Sequence, residues 1–429
     1  FFHQKLLEPC GEQARAYIIK RGLSKATVTR FGLGFSPNEW SALLDTMTGK
    51  GYSREEILEA GLAVSGKNGG MYDRFRNRLM FPIIDIRGNI IGFGGRVMDD
   101  SKPKYINSPE TMVYHKSRTL FALNVAKKST SKRYILCEGY MDVISMHEAG
   151  FDTAVCACGT ALTPEQVKLL TEYADEVVLS YDSDEAGQKA TERSLALFSG
   201  TNLQVRVLNI PGAKDPDEFI RTYGRDRFEA VLEGTATPLE FKLAKAVKKY
   251  DLRNDAQRLQ YVDEAIGILA GSAVSPTARD VYAGRIAEQT GIDKKAVLVQ
   301  LESAVRGAEA VSALRGGDKV LICEGCTHHR QCDDIGTVKL PRWIKEYTGK
   351  NPEFIFTSGT EFPLDLSPYK MIIHCGACML NEREMQYRIK CAADQNIPFT
   401  NYGITIAYIN GILKRTVEPF PQIYKLLDK

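Results

Sequence analysis

Between residues 132 and 210 apolar residues fall in short runs, with longer helix-forming stretches between them. The runs are Arg133-Tyr-Ile-Leu-Cys, Thr153-Ala-Val-Cys-Ala, Glu176-Val-Val-Leu-Ser-Tyr and Gln204-Val-Arg-Val-Leu-Asn. Such runs fit strands buried on both faces, so the rhythm predicts βαβ units and a parallel sheet. Residues 1–64 pattern as short helices: Glu12 to Lys20 is helix-like, Ser24 is a predicted N-cap, and Ser53-Arg-Glu-Glu fits a capping box. The stretch from Met80 to Gly94 predicts a hairpin turning at Gly88-Asn89. Residues 238–305 pattern as helices again, with Pro238 at one start and Asn254 and Ser275 as caps. Residues 304–317 are rich in small side chains and end in Gly316-Gly317, which predicts a linker. Beyond it, Lys319-Val-Leu-Ile-Cys, Glu353-Phe-Ile-Phe-Thr and Lys370-Met-Ile-Ile-His resume the βα alternation as a separate small unit.

The expected class is therefore α/β in several parts: a mixed subdomain (1–130), a βαβ sheet (131–235), a helical subdomain (236–306), a linker (307–318) and a small α/β domain (319–429). Composition supports packed cores, since 44% of the 429 residues are hydrophobic. A formal charge of only +3 means that nucleic-acid binding has to come from a local patch. One candidate patch carries Arg74, Arg76, Arg78, Arg87, Arg96, Lys102, Lys104, Lys116 and Arg118. No apolar run approaches the roughly 18 residues of a membrane span, and no signal peptide is visible, so a cytoplasmic chain with no membrane partner is expected. The chain opens Phe-Phe-His, without an initiator methionine, and is expected to be a fragment of something longer.

Two constellations carry chemistry, and they differ in kind. The first is Glu138, Asp142, Asp182, Asp184, Asp215 and Asp217. Glu138 and Asp182-x-Asp184 follow predicted strands, and in open parallel sheets ligands collect at the carboxyl ends. Carboxylates crowded in this way repel one another unless divalent cations neutralise them, and hard oxygens suit Mg²⁺ or Mn²⁺. The second is Cys326-x-His328 with His374-Cys375-x-x-Cys378, where thiolates select zinc or iron–sulfur clusters. Six of the ten cysteines (Cys323, Cys326, Cys332, Cys375, Cys378 and Cys391) crowd this end, which favours metal binding over disulfides.

Glu138-Gly-Tyr-Met-Asp142, Ser180-Tyr-Asp182-Ser-Asp184-Glu-Ala-Gly187 and Gly212-Ala-Lys-Asp215-Pro-Asp217 resemble the Toprim motifs of bacterial DnaG-type DNA primases. Tyr72-Asp-Arg-Phe-Arg-Asn-Arg, Gly92-Phe-Gly-Gly-Arg96, Pro103-Lys104-Tyr and His115-Lys116-Ser match that family too. The resemblance covers about residues 1–306. It implies an RNA-polymerase core that makes short RNA primers from NTPs on single-stranded DNA, with Glu138, Asp182 and Asp184 as catalytic residues. It also implies that Glu138, Asp142, Asp182, Asp184, Asp215 and Asp217 hold two or more Mg²⁺ ions, which activate the 3′-hydroxyl and stabilise the departing pyrophosphate. Arg76, Arg96, Lys104 and Lys116 are the implied contacts to template, primer or NTP, with Tyr72, Phe75 and Tyr105 as stacking faces. The family's zinc ribbon has no counterpart in the residues. The helicase-docking domain is expected to be absent as well, so a replicative helicase is not expected to bind through this chain.

Leu321-Ile-Cys-Glu324-Gly-Cys-Thr-His-His and Ile372-Ile-His-Cys-Gly-Ala-Cys-Met-Leu-Asn381 resemble the C-terminal domain of HydF-type maturation GTPases of [FeFe]-hydrogenase. This likeness runs from about 312 to 426. It implies a [4Fe–4S] cluster on Cys326, Cys375 and Cys378, with His328, His374 or Glu324 as candidates at the fourth iron, and hydrogenase or maturase partners. Cys323, Cys332 and Cys391 are expected to be small buried hydrophobes, and a structural zinc site is the alternative. No Walker-type phosphate loop is present, so no GTP switch is expected. The leading expectation is a composite of the two families. The rivals are a metallocofactor scaffold with an idle front half and a cluster that acts as a redox switch on priming.

Overall fold

The computed structural model describes residues 1–66, 69–159, 161–199, 201–270, 272, 274–324, 334–375 and 382–409. The chain divides into two compact units, Phe1–Pro238 and Leu239–Lys429.

The first unit begins with the expected short helices, Phe2–Leu7, Glu12–Lys20, Lys25–Arg30, Ala42–Gly49 and Arg54–Glu59. Ser24 accepts from Thr27 N, and Ser53 and Glu56 form the reciprocal capping box. Six strands follow the helices or interrupt them: β1 (Gly34–Ser36), β2 (Ala63–Ser65), β3 (Met71–Asp73), β4 (Arg78–Ile84), β5 (Ile90–Val97) and β6 (Tyr105–Asn107). β1 and β2 lie in a region that patterns as helical, because three residues are too few to express a period. β1, β4, β5 and β6 form an antiparallel sheet in that order. The β4–β5 hairpin turns where expected: Asp85 accepts from the amides of Arg87 and Asn89, both at 2.8 Å, and Gly88 takes φ +98°.

The second sheet of this unit contains β7 (Leu120–Phe121), β8 (Arg133–Cys137), β9 (Ala154–Ala157), β10 (Glu176–Ser180) and β11 (Gln204–Val207). Its order is β11-β10-β8-β9-β7, parallel except for β7. The predicted runs are these strands, and Leu136, Val155, Val177, Val178 and Leu179 are buried among flanking helices. The register sets the chemistry. Ser180 pairs with Cys137, so the residues that follow them, Glu138 and Tyr181-Asp182, leave the sheet side by side.

The second unit contains the helices Pro238–Val247, Asp255–Ala270, Pro276–Thr290 and Lys294–Glu309. Asn254 and Ser275 cap two of them as expected, accepting from Gln257 N and Ala278 N. Its sheet has the order β13-β12-β14-β15 and is parallel throughout: β12 (Lys319–Glu324), β13 (Glu353–Ser358), β14 (Tyr369–His374) and β15 (Phe399–Asn401). The predicted linker at 307–318 is not a free tether. Its first residues complete the helix Lys294–Glu309, and Val311 and Leu314 are buried in one core with Leu269, Ile286, Ile322, Ile373 and Ile404. A Cβ on Gly307 would overlap the Phe399 carbonyl, so at this position a small residue serves close helix–strand packing rather than flexibility. Among the described residues no helix is long and apolar enough to cross a membrane.

Candidate catalytic site and nucleic-acid interface

Each carboxylate of the first constellation follows a strand of the second sheet, and three of them cap the helix that comes next. Asp142 accepts from Gly139 N at 3.0 Å at the start of Tyr140–Glu148. Asp184 caps Glu185–Phe198 through Gly187 N at 2.9 Å, and Asp215 caps Pro216–Tyr223 through Glu218 N at 2.8 Å. Capping engages one oxygen of each group and sets each charge at the positive end of a helix dipole. A Cβ on Gly187 would overlap the Asp182 carbonyl, so the turn from β10 into its helix requires glycine. Glu138 and Asp182 meet directly, the Asp182 amide donating to Glu138 Oε2 at 3.2 Å.

Burial first, and mutual repulsion second, work against the charges of these acids. Burial pushes Asp142 up to about 7, with Asp215 and then Asp182 adding repulsion. Asp182 is also raised, by burial and then by Glu138. The donor set fits a hard divalent cation in kind, being all carboxylate oxygen with negative charge that the nearby Lys214 ammonium offsets only in part. Among the described residues, no three acidic, cysteine or histidine side chains close on one point as a preformed cage.

A pH dependence follows. The folded value of Asp142 lies above its ordinary 3.8, so the folded state binds this proton more tightly than the unfolded chain does. Its contribution to stability is fully present below the unfolded value and is lost as pH rises through about 7. In EDTA the protein should therefore melt at a lower temperature at pH 8 than at pH 6 through this group. Added Mg²⁺ should raise the melting temperature more at pH 8 than at pH 6. Equal increments at both values would show that cations do not neutralise this carboxylate.

Asp217 has a different task from the one expected of it. It is 1% exposed, and both oxygens are engaged. Oδ1 accepts from Ser145 Oγ at 2.6 Å, and Oδ2 accepts from Arg221 Nε at 3.1 Å and from Arg21 Nη1. The carboxylate ties three helices together rather than facing a cation.

The basic stretch also separates by role. Arg74 and Arg78 are spent on backbone: Arg74 donates to Asn107 O, and Arg78 donates to the carbonyls of Gly95, Pro103 and Lys104. Arg76 donates to the Asp73 carbonyl and also lies over two rings, 4.3 Å from the Trp40 centroid and 5.1 Å from that of Tyr72. Trp40 is 65% exposed and edge-on to Tyr72, and its carbonyl accepts from Asp73 N at 2.7 Å, which pins its loop to β3. Arg96 stacks on Tyr17 at 4.3 Å, Lys104 is exposed, and Lys116 is half-buried in a short turn. Tyr105 is exposed, as a stacking face must be. Phe75 is not, because it is buried against Phe2 and Phe93. Trp40, one of two tryptophans in the chain, went unpredicted; its polar setting, Ser36-Pro-Asn-Glu-Trp40-Ser, was the available signal.

Of the second constellation, Cys326, His328 and Cys378 lie outside the described residues, as does Cys332. Glu324, His374 and Cys375 stand at the carboxyl ends of β12 and β14. His374 is 1% exposed with both ring nitrogens engaged. Arg388 Nη1 donates to Nε2 at 3.1 Å, so Nδ1 carries the proton that it donates to Cys375 O at 2.8 Å. Burial holds this imidazole down to about 4. As it stands His374 offers no nitrogen to an iron. Glu324 accepts from the Tyr402 hydroxyl at 3.4 Å. Cys323 is fully buried, as expected, and Cys391 is half-buried.

Four family models match the chain in sequence order. They are the N-terminal domain of the DNA primase catalytic core (residues 1–127), a Toprim-like domain (135–220), the DnaB-helicase binding domain of primase (239–294) and the hydrogen maturase F tetramerization domain (302–419). The third match overturns the expectation that the helicase-docking domain is absent: three helices without a sharp motif did not reveal it. The DNA primase of Clostridium acetobutylicum is 42% identical over 286 residues, 66% of this chain and 48% of that one. The DNA primase of Escherichia coli K12 is 40% identical over 244 residues, 56% of this chain and 42% of that one. The chain thus spans about half the length of these relatives. A DnaG primase catalytic domain bound to ssDNA superposes with a TM-score of 0.57 at 34% identity, covering 67% of this chain and 94% of that one. The RNA polymerase domain of Mycobacterium tuberculosis DnaG, bound to a double-stranded DNA oligomer with a 6-nucleotide overhang, gives 0.61 at 31%, covering 68% and 94%. The chain belongs to the bacterial DnaG-type DNA primase family through its catalytic core, and behind that core it carries a segment matching the hydrogen maturase F tetramerization domain.

Proposed function

We propose that the front of this chain is a template-directed RNA polymerase that makes short RNA primers from NTPs on single-stranded DNA. One observation carries the reading: Glu138, Asp142, Asp182, Asp184 and Asp215 gather at the carboxyl ends of one parallel sheet, in the same unit as an exposed Trp40–Tyr72–Arg76 stack. Glu138, Asp182 and Asp184 are the residues assigned to catalysis, with Asp142 and Asp215 completing the cation-binding set. Bound Mg²⁺ supplies charge neutralisation at the triphosphate and makes the primer 3′-hydroxyl a better nucleophile. The chain's own residues orient the reactants. Arg96, Lys104 and Lys116 hold phosphates of template, primer or NTP, while Trp40, Tyr72 and Arg76 stack on template bases.

Trp40→Ala and Arg76→Ala should each weaken binding of a single-stranded oligonucleotide about tenfold, since a base stacked on an aromatic ring contributes about 1–3 kcal/mol. Fluorescence anisotropy measures the affinity, and primer synthesis should show a raised KM for template with kcat little changed. Unaltered affinity in both variants would remove this face from the template path.

A second reading concerns the second unit. The match at 239–294 supports docking to a replicative helicase, and the match at 302–419 supports self-association. Sedimentation of the full chain should give a species larger than a monomer; a monomer at micromolar concentration would contradict that. A [4Fe–4S] cluster on Cys326, Cys375 and Cys378 rests on the resemblance of their motifs to the HydF-type maturase domain. Anaerobic reconstitution that leaves colourless protein would remove it.

A further inference from the structure

Lys214 stands next to Asp215 in the loop after β11, and no motif reading gives it a task. Its ammonium lies 3.5 Å from Asp182 Oδ2. The root of the side chain is fixed on two sides. Its carbonyl accepts from Ser183 N at 3.2 Å and Ser183 Oγ at 3.3 Å, and its amide donates to Glu218 Oε2 at 2.8 Å. Ser183 is the residue between Asp182 and Asp184, so residue 214 is tied by its backbone to the loop that carries both aspartates. Asp184 and Asp215 also act on the Lys214 charge.

We propose that Lys214 is a built-in counter-cation for Asp182, which a divalent cation has to displace in order to bind. The inference rests on the divalent-cation reading of the carboxylate site. With no divalent ion bound, the ammonium offsets part of the repulsion between Glu138 and Asp182 and keeps the two acids together. A divalent ion brings twice the charge to the same oxygens, and the flexible four-carbon stem lets the ammonium leave without disturbing the pinned backbone. Lys214 thereby sets the concentration at which the site fills, favouring an assembled but unloaded site when divalent ion is scarce.

The test is Mn²⁺ binding to the full chain, followed by electron paramagnetic resonance of the free ion. Wild type is compared with Lys214→Gln and Lys214→Arg, with Asp182→Asn as the control for the site itself. Lys214→Gln should bind Mn²⁺ about two- to fivefold more tightly, the range expected for losing one competing charge at a solvent-exposed pair. Lys214→Arg keeps the charge and should bind like wild type. In about 1 M KCl, where screening acts within about 3 Å, the gap between wild type and Lys214→Gln should close. Equal or weaker Mn²⁺ binding by Lys214→Gln, with Asp182→Asn binding clearly less than wild type, would overturn the role of Lys214 and leave the cation site intact. If Asp182→Asn binds as wild type does, the cation reading itself falls, and this inference falls with it.

Discussion

Asp182→Ala should abolish RNA synthesis while leaving the protein, in EDTA, at least as stable as wild type. The two effects have one cause. Burial and the neighbouring Glu138 both work against the Asp182 charge, so the folded chain gains nothing from keeping it when no cation is bound. Its value lies in what it holds during the reaction. A rate lowered by about three orders of magnitude corresponds to roughly 4 kcal/mol of lost transition-state stabilisation. Primer-extension assays give the rate, and thermal melts in EDTA give the stability. Synthesis at the wild-type rate would sink the catalytic assignment. A large loss of stability would mean that Asp182 is a structural acid.

Asp217→Ala should do the reverse, destabilising the first unit by about 3 kcal/mol, as expected when one partner of a buried ion pair is removed. Two guanidiniums, Arg21 and Arg221, converge on this one carboxylate, and Ser145 donates to its other oxygen. Removing the acid leaves like charges facing each other and a buried hydroxyl without its acceptor. Arg21 and Arg221 are partly exposed, which keeps the expected loss at the lower end for a buried pair. Urea unfolding measures the loss, and Mn²⁺ binding by the folded protein should stay near wild type. If Mn²⁺ affinity collapses while stability holds, Asp217 is a cation ligand after all.

Asp217 also marks the limit of motif reading. Asp215-Pro-Asp217 suggests two equivalent ligands, and local sequence has no way to separate them. They are distinguished by Arg21, 196 positions away, and by Ser145, 72 away, which meet Asp217 only once the helices pack. The βαβ sheet was legible because its strands are short apolar runs with unambiguous spacing, and because acids follow β8 and β10 directly, as Glu138 and as Asp182-x-Asp184. Arg74, Arg76 and Arg78 look alike as a charge run, and all three donate to backbone carbonyls, yet only Arg76 also lies over the rings of Trp40 and Tyr72, which pack there only once the chain has folded. The linker reading failed for a related reason: small residues signal flexibility and close packing equally well, and only the position of Phe399 decides between them at Gly307. At the thiolate end His374 reads as a ligand from its place beside Cys375, but Arg388, fourteen residues on, takes its second nitrogen.

The central claim is that the front of the chain polymerises ribonucleotides under the direction of a DNA template. It is tested most directly by supplying the full chain with an RNA-primed single-stranded DNA of defined sequence, four NTPs and Mg²⁺, and by sequencing the product. The account predicts RNA complementary to the template, extended from the primer 3′ end and absent in EDTA. Folded protein that binds the DNA yet adds no nucleotide in Mg²⁺ or Mn²⁺ would contradict it.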